Sequence, residues 1–136
     1  MRSFEKRVSL ESKKPIELVN ISASLSRALD ESGVKEGIMV IFNPHTTAAL
    51  IINEDESRLV RDFEKALKDL VPWDAPYEHN QIDDNASAHL VGAFLGADLN
   101  LHISQGKLLL GTWQSVFFAE LDGPRSRKVL VKILGE

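Results

Sequence analysis

The chain contains no cysteine. That removes a disulfide scaffold, a zinc ribbon and any thiol nucleophile, and it fits a reducing compartment. No apolar run approaches the roughly 18 residues that would read as a membrane-spanning helix. The opening residues, Met1-Arg2-Ser3-Phe4-Glu5-Lys6-Arg7, hold no apolar signal core. A soluble cytoplasmic domain with no membrane partner is expected. Positive charge is in deficit: 16 Lys and Arg stand against 20 Asp and Glu, a net charge of −4. A nucleic-acid binder usually carries a basic face, so no nucleic-acid partner is expected. Internal repeats, low-complexity tracts and linkers are missing too. So are a glycine-rich phosphate loop of Walker or dinucleotide type and a Gly-x-Ser-x-Gly nucleophile elbow.

What remains is an ordinary globular composition. The 136 residues are 43% apolar and 26% charged, enough for one domain over residues 1–136 that buries roughly two-thirds of its unfolded surface. Phe4, Lys6, Val8 and Leu10 alternate with Glu5, Arg7 and Ser9, which predicts a strand with one wet face. Ser22 is placed to cap a first helix, with Leu25, Ala28 and Leu29 as its apolar stripe and Gly33 as its stop. Ile38–Phe42 and Ala48–Ile52 read as short strands. Asn53 and Glu56 have capping-box spacing before a second helix, whose stripe is Leu59, Phe63, Leu67 and Leu70. After an irregular stretch from 72 to 84, a third helix runs from about Ala86 to Leu95. Asp84 or Asn85 can cap it, and Ala86, Ala88, Gly92 and Ala93 allow close packing.

The C-terminal third is β-rich. Leu99–Ile103 and Leu108–Leu110 flank a Gln105-Gly106 turn. Trp113, Ser115, Phe117, Ala119 and Leu121 form one face of a long strand, and Gln114, Val116, Phe118 and Glu120 form the other. With both faces largely apolar, that strand should be central and covered twice. Asp122-Gly123-Pro124 is a turn signal before a last strand in which Val129, Val131 and Ile133 alternate with Leu130, Lys132 and Leu134. The pattern predicts an α+β fold: a single compact domain with a mixed, mostly antiparallel sheet core and two or three helices.

Chemistry can sit in three places. His45 follows a strand end, His79 ends the irregular stretch and His89 lies in the first turns of the third helix. No two of the four histidines have the spacing of a helical zinc pair. Three neutral imidazoles from separate segments can nevertheless hold a divalent metal and leave one position open. The alternative is local: a turn cap, a solvated ring and a loop hydrogen bond. His102 beside a turn reads as surface. Thr46 and Thr47 after His45 can surround an anion or simply start a strand. Arg125 and Arg127 share a face if both are in strand geometry, and paired guanidiniums suit phosphate or carboxylate. Glu120 and Asp122 precede them with the same period, so an internal salt-bridge ladder is the competing reading.

Six ordered motifs then define a resemblance. They are His45-Thr46-Thr47-Ala48-Ala49; Asn53-Glu54; His79-Asn80; Asp83 with Asn85-Ala86 and Ala88-His89-Leu90; Gly111-Thr112-Trp113-Gln114; and Glu120-Leu121-Asp122-Gly123-Pro124-Arg125-Ser126-Arg127. Together they resemble the YjbQ family over almost the whole chain. The resemblance implies a compact α+β domain, a homotrimer and an activity like that of a secondary thiamine-phosphate synthase. That reaction joins a pyrimidine-methyl pyrophosphate to a thiazole phosphate and releases pyrophosphate.

On this reading, Arg125 and Arg127 hold phosphate oxygens, and Asp83 and Glu120 are acid–base or metal-supporting carboxylates. Thr46, Thr47, Asn85 and Gln114 are the ligand-binding candidates, and His45, His79 and His89 hold a metal or move protons. Negative charge on departing pyrophosphate is what arginines, N–H groups and a divalent cation stabilise. Magnesium prefers oxygen ligands whereas histidines favour zinc-like ions, so a metal-dependent hydrolase on the same histidines is an alternative. A trimeric small-ligand binding module without turnover is another.

Overall fold

The computed structural model describes residues 1–136. Its strands are β1 (Arg2–Glu11), β2 (Glu17–Asn20), β3 (Gly37–Phe42), β4 (Ala48–Asn53), β5 (Asp98–Ser104), β6 (Lys107–Leu108), β7 (Ser115–Glu120) and β8 (Ser126–Gly135). Three α-helices, α1 (Ser22–Ser32), α2 (Ser57–Asp69) and α3 (Ala86–Leu95), and a 3-10 turn at Glu78–Gln81 complete the chain. The strands form two sheets, β1-β8-β3-β5-β6 and β2-β7-β4, and every pairing is antiparallel. This is the expected α+β class.

The two sheets stack, and period-two alternation decides what lies between them. Val129, Val131 and Ile133 of β8 and Met39 and Ile41 of β3 point inward. They meet Ala48 and Leu50 of β4, Val116 and Phe118 of β7, and Leu25, Ala28 and Leu29 of α1 in one core. The other face of the three-stranded sheet carries Ala49, Phe117, Ala119 and Leu121, which pack with Leu67 of α2 and Ala88 and Val91 of α3 in a second core. β7 is thus central and covered on both sides, as its two apolar faces require. α3 approaches β4 so closely that a Cβ on Gly92 would stand 3.1 Å from the Ala48 carbonyl oxygen. The small residues of that helix serve this contact. The outer face of the five-stranded sheet has no helix over it and leaves Ile38 and Phe42 43% and 45% exposed.

Several local expectations change. α1 begins with Ile21, which has no capping side chain, at the N-cap. The Ser22 hydroxyl instead accepts from the Val116 N–H (2.8 Å), tying the helix to β7, while Asn20 Oδ1 accepts from the Ser22 N–H (2.9 Å). α2 is capped by Glu56 rather than Asn53. The Glu56 carboxylate accepts from the N–H groups of Arg58 (2.7 Å) and Leu59 (3.3 Å), and Asn53 ends β4. The strand after Gln105-Gly106 is two residues long, not three. Trp113 lies before β7 and is 71% exposed, not a core residue. Gly33, at φ +70°, stops α1 as expected.

Candidate functional site

Extending the inward alternation of β8 back by two residues puts Arg127 between the sheets, and extending the Val116–Phe118 face of β7 forward by two puts Glu120 opposite it. The two meet in a buried bidentate pair. Arg127 Nε donates to Glu120 Oε1 (2.9 Å) and Nη2 to Oε2 (2.5 Å), with Arg127 5% and Glu120 0% exposed. Such a pair survives burial only when its remaining hydrogen-bonding positions are filled. Ser12 Oγ donates to Glu120 Oε1 (2.6 Å), and the N–H groups of Leu121 (3.1 Å) and Asp122 (3.0 Å) donate to Oε2. Arg127 Nη2 also donates to Thr47 Oγ1 (2.9 Å). Burial alone would raise the Glu120 pKa. The hydrogen bonds from Arg127, Ser12 and the Asp122 N–H, with the Arg127 charge, outweigh it and hold the carboxyl below its ordinary value.

One nitrogen of the guanidinium, Nη1, has no protein partner. The sole side-chain nitrogen or oxygen that is both buried and unpartnered in the chain is Trp73 Nε1, so Arg127 Nη1 reaches the surface. Arg127 is one of the residues that line an open groove of about 650 Å³, together with His45, Lys128, Ser9, Ser126, Leu10 and Glu11. The groove lies where β3 has ended. Phe42↔Leu130 is the last β3–β8 pair, and two residues further along β8 the His45 ring replaces the missing strand, with Nε2 3.0 Å from the Lys128 N and 3.1 Å from its O. Asn43 fixes the turn that delivers His45, accepting from its N–H (2.9 Å) and donating to its carbonyl (3.2 Å). Desolvation and the Arg127 charge, against the opposing effects of the Lys128 contact and Glu120, lower the His45 pKa and favour the neutral ring.

The Glu120–Asp122 segment links this groove to a second group. Asp122 Oδ2 accepts from Arg125 Nη2 (2.9 Å) and from Asn85 Nδ2 (2.9 Å), and His79 Nε2 lies 3.1 Å from Asn85 Oδ1. The His89 ring stands edge-on to His79 with centroids 4.9 Å apart. Asp83 is exposed. The Asp84 N–H chiefly, with the charges of His79 and Arg125, keeps its carboxyl below the ordinary range against a smaller effect of burial.

The sequence candidates therefore divide. His79, His89, Asn85, Asp122 and Arg125 assemble, and His45, Thr47, Glu120 and Arg127 assemble beside them. Arg125 precedes β8 and folds back onto Asp122, so the two arginines make separate pairs, Arg127 with Glu120 and Arg125 with Asp122. Thr46 is exposed, and Gln114 closes a local turn by accepting from the Gly111 N–H (2.8 Å). His102 sits on the outer sheet face opposite Ile38. For a metal, His79 and His89 offer a pair of borderline nitrogen donors. No three His, Asp or Glu side chains of this one chain stand close enough to hold an ion together. Ser12 and Asn43 were not singled out. Their signal was positional: each follows a strand and can turn its polar side chain back onto backbone.

Residues 6–136 match the family described as UPF0047 protein YjbQ-like. A UPF0047 protein of Methanothermobacter thermautotrophicus is 43% identical over 136 residues, covering all of this chain and 95% of that one. YugU of Bacillus subtilis, also a UPF0047 protein, is 31% identical over 96% of this chain and 98% of its own. Among solved structures, a YbjQ-like protein of unknown function from Sulfolobus solfataricus superposes with a TM-score of 0.96 at 40% identity, covering 99% of each chain. A hypothetical protein from Aeropyrum pernix gives 0.95 at 34% identity, over 98% of this chain and 99% of that one.

Proposed function

The chain belongs to the YjbQ-like UPF0047 family, and from that premise we propose that it is an enzyme acting on a small phosphorylated substrate, with thiamine-phosphate synthase-like activity. The observation that carries this reading is the Arg127 Nη1 group. A guanidinium that is almost wholly buried, neutralised on one edge by Glu120 and anchored by Thr47, keeps one NH2 group, Nη1, free of protein partners in a residue that lines the groove. A fixed, partly desolvated donor stabilises developing negative charge more than a solvated lysine does, because nothing has to reorganise as the charge appears. In the proposed reaction the thiazole nitrogen bonds to the pyrimidine methylene carbon as the carbon–oxygen bond to pyrophosphate breaks. Arg127 Nη1 faces the departing pyrophosphate, and neutral His45 takes or returns a proton at the groove wall. Thr47 orients Arg127 rather than touching phosphate itself.

The close His79–His89 pair favours a second reading, a metal-dependent hydrolase. A divalent cation there would supply Lewis acidity, held by His79 and His89 with its remaining ligands from the substrate, water or another copy of the chain. Asp83 and Asp122 would support those rings. We also propose a homotrimer. The uncovered outer sheet face with Ile38, Phe42 and Leu130 supports self-association.

The purified chain is to be incubated with the pyrimidine pyrophosphate and the thiazole phosphate, and pyrophosphate and thiamine phosphate measured together. Equimolar release of both is expected. Hydrolysis of generic phosphoesters with added zinc and no coupling of the two precursors would favour the second reading. Binding without any product would leave a ligand-binding module.

A further inference from the structure

Asn85 occupies the N-cap position of α3, where an asparagine ordinarily turns its side-chain oxygen onto the helix's own first N–H groups. Here it makes no such cap. The Ala86 N–H is satisfied from elsewhere, by Asn80 Oδ1 (3.0 Å), and the buried Asn85 amide is used in a chain of side chains. Arg125 Nη2 and Asn85 Nδ2 both donate to Asp122 Oδ2 at 2.9 Å, and Asn85 Oδ1 faces His79 Nε2 at 3.1 Å.

Each link has only one possible polarity. Asp122 Oδ2 lies against a guanidinium N–H of Arg125, which can only donate, and so acts there as an acceptor. The amide end of Asn85 that faces it must therefore be the NH2 end, and the end that faces His79 must be the carbonyl. A carbonyl only accepts, so His79 Nε2 must carry a hydrogen. In the neutral ring the remaining nitrogen, Nδ1, is then the lone pair, and it has no partner within the chain. The partner of one ring nitrogen sets the role of the other, which is how outer residues orient histidines in functional sites.

We propose that Asn85 is a positioning residue that locks His79, whose ring stands edge-on to His89, in the Nε2–H tautomer and so makes Nδ1 the atom offered to a ligand. Asn85 contributes this by way of His79, with both ends of its own amide already engaged. The assignment goes beyond the proposed reaction: Nδ1 is the available base or donor atom whether the site takes thiamine precursors, another phosphorylated molecule or a cation.

The test is long-range proton–nitrogen correlation spectroscopy on the 15N-labelled full chain, at a pH where the histidines are neutral. For the wild type, a resolved His79 Nε2–H resonance is expected, with well-separated ring nitrogen shifts showing one tautomer. Asn85→Ala removes the acceptor. Asp122→Asn lets the Asn85 amide turn round, because an amide partner can donate as well as accept. Both should lose the Nε2–H resonance to solvent exchange and collapse the two nitrogen shifts toward the mixed average of a free ring. His102, on the far sheet face, should keep its shifts in both variants and so reports that the fold persists. Averaged shifts or an Nδ1–H ring in the wild type would overturn the proposal whatever the variants do. So would variants that keep the wild-type His79 pattern. Absence of thiamine-precursor turnover with the expected spectra would instead count against the proposed reaction alone.

Discussion

Glu120 and Arg127 show how two charged side chains can sit inside a small protein. The pair is tolerated because Ser12, Thr47 and two backbone N–H groups complete its hydrogen bonds. Removing one partner leaves a buried charge without its counterion. Glu120→Gln is therefore expected to cost about 3–5 kcal/mol of stability, read from the urea midpoint. Thr47→Val removes one charge-assisted hydrogen bond and should cost about 1.5–3 kcal/mol. The pH dependence follows from the lowered Glu120 pKa. The folded chain binds this proton less readily than the unfolded chain. The carboxylate's contribution is thus complete above the ordinary glutamate value and is lost as pH falls through the lower folded value. Thermal melts across the acid range should fall steeply for the wild type and more shallowly for Glu120→Gln; parallel curves would contradict this origin. At this scale the competing readings of the arginine motif were both legible. The period of two from Glu120 to Asp122 and from Arg125 to Arg127 foreshadowed the two ion pairs. The free Nη1 was not legible, because which guanidinium nitrogen stays unpaired depends on the packing of β7 against β8.

Among the elements, α3 depends on small side chains and α2 on one carboxylate. Gly92→Val would set a branched Cβ 3.1 Å from the Ala48 carbonyl oxygen, and overpacking of this kind costs about 1–3 kcal/mol. A lowered melting temperature with unchanged helix content is expected. Glu56→Ala removes the α2 cap and should cost about 1 kcal/mol, visible as a small fall in urea midpoint. Asn53→Ala should not reproduce it through capping. The periodicities of β1, β3, β4, β7 and β8 and the stripe and stop of α1 were legible, because each strand or helix buries one regular face. The caps were less so: Asn53 and Ser22 are both good cap residues by type, and only the pairing of β7 with β4 on one side and β2 on the other decides where their side chains go. Trp113 failed as a strand residue because alternation alone does not mark where a strand begins.

At the scale of the whole molecule, one sheet is covered on both sides and the other on one. The exposed row of Ile38, Phe42 and Leu130 on the outer sheet face supports the proposed trimer. Light scattering should then give three times the 15.1 kDa chain mass, and Phe42→Glu should dissociate it without unfolding the chain. A monomer at micromolar concentration in the wild type would contradict that assembly. No strand alternation says how copies meet; the expectation of three came from family resemblance, whereas the uncovered face is visible only once the sheet order is known. The groove likewise exists because β3 stops at Phe42 and His45 takes its place beside β8, with Arg127 among the residues that line it. The most direct test of that groove is calorimetric titration of inorganic pyrophosphate into wild type and Arg127→Lys, well below both melting temperatures. Lysine keeps the charge but loses the fork that serves Glu120 and the groove together, so affinity should fall about ten- to a hundredfold, the equivalent of losing about 1.5–3 kcal/mol. Equal affinity for pyrophosphate in the two folded proteins would contradict the assignment of Arg127 as the anion-binding group.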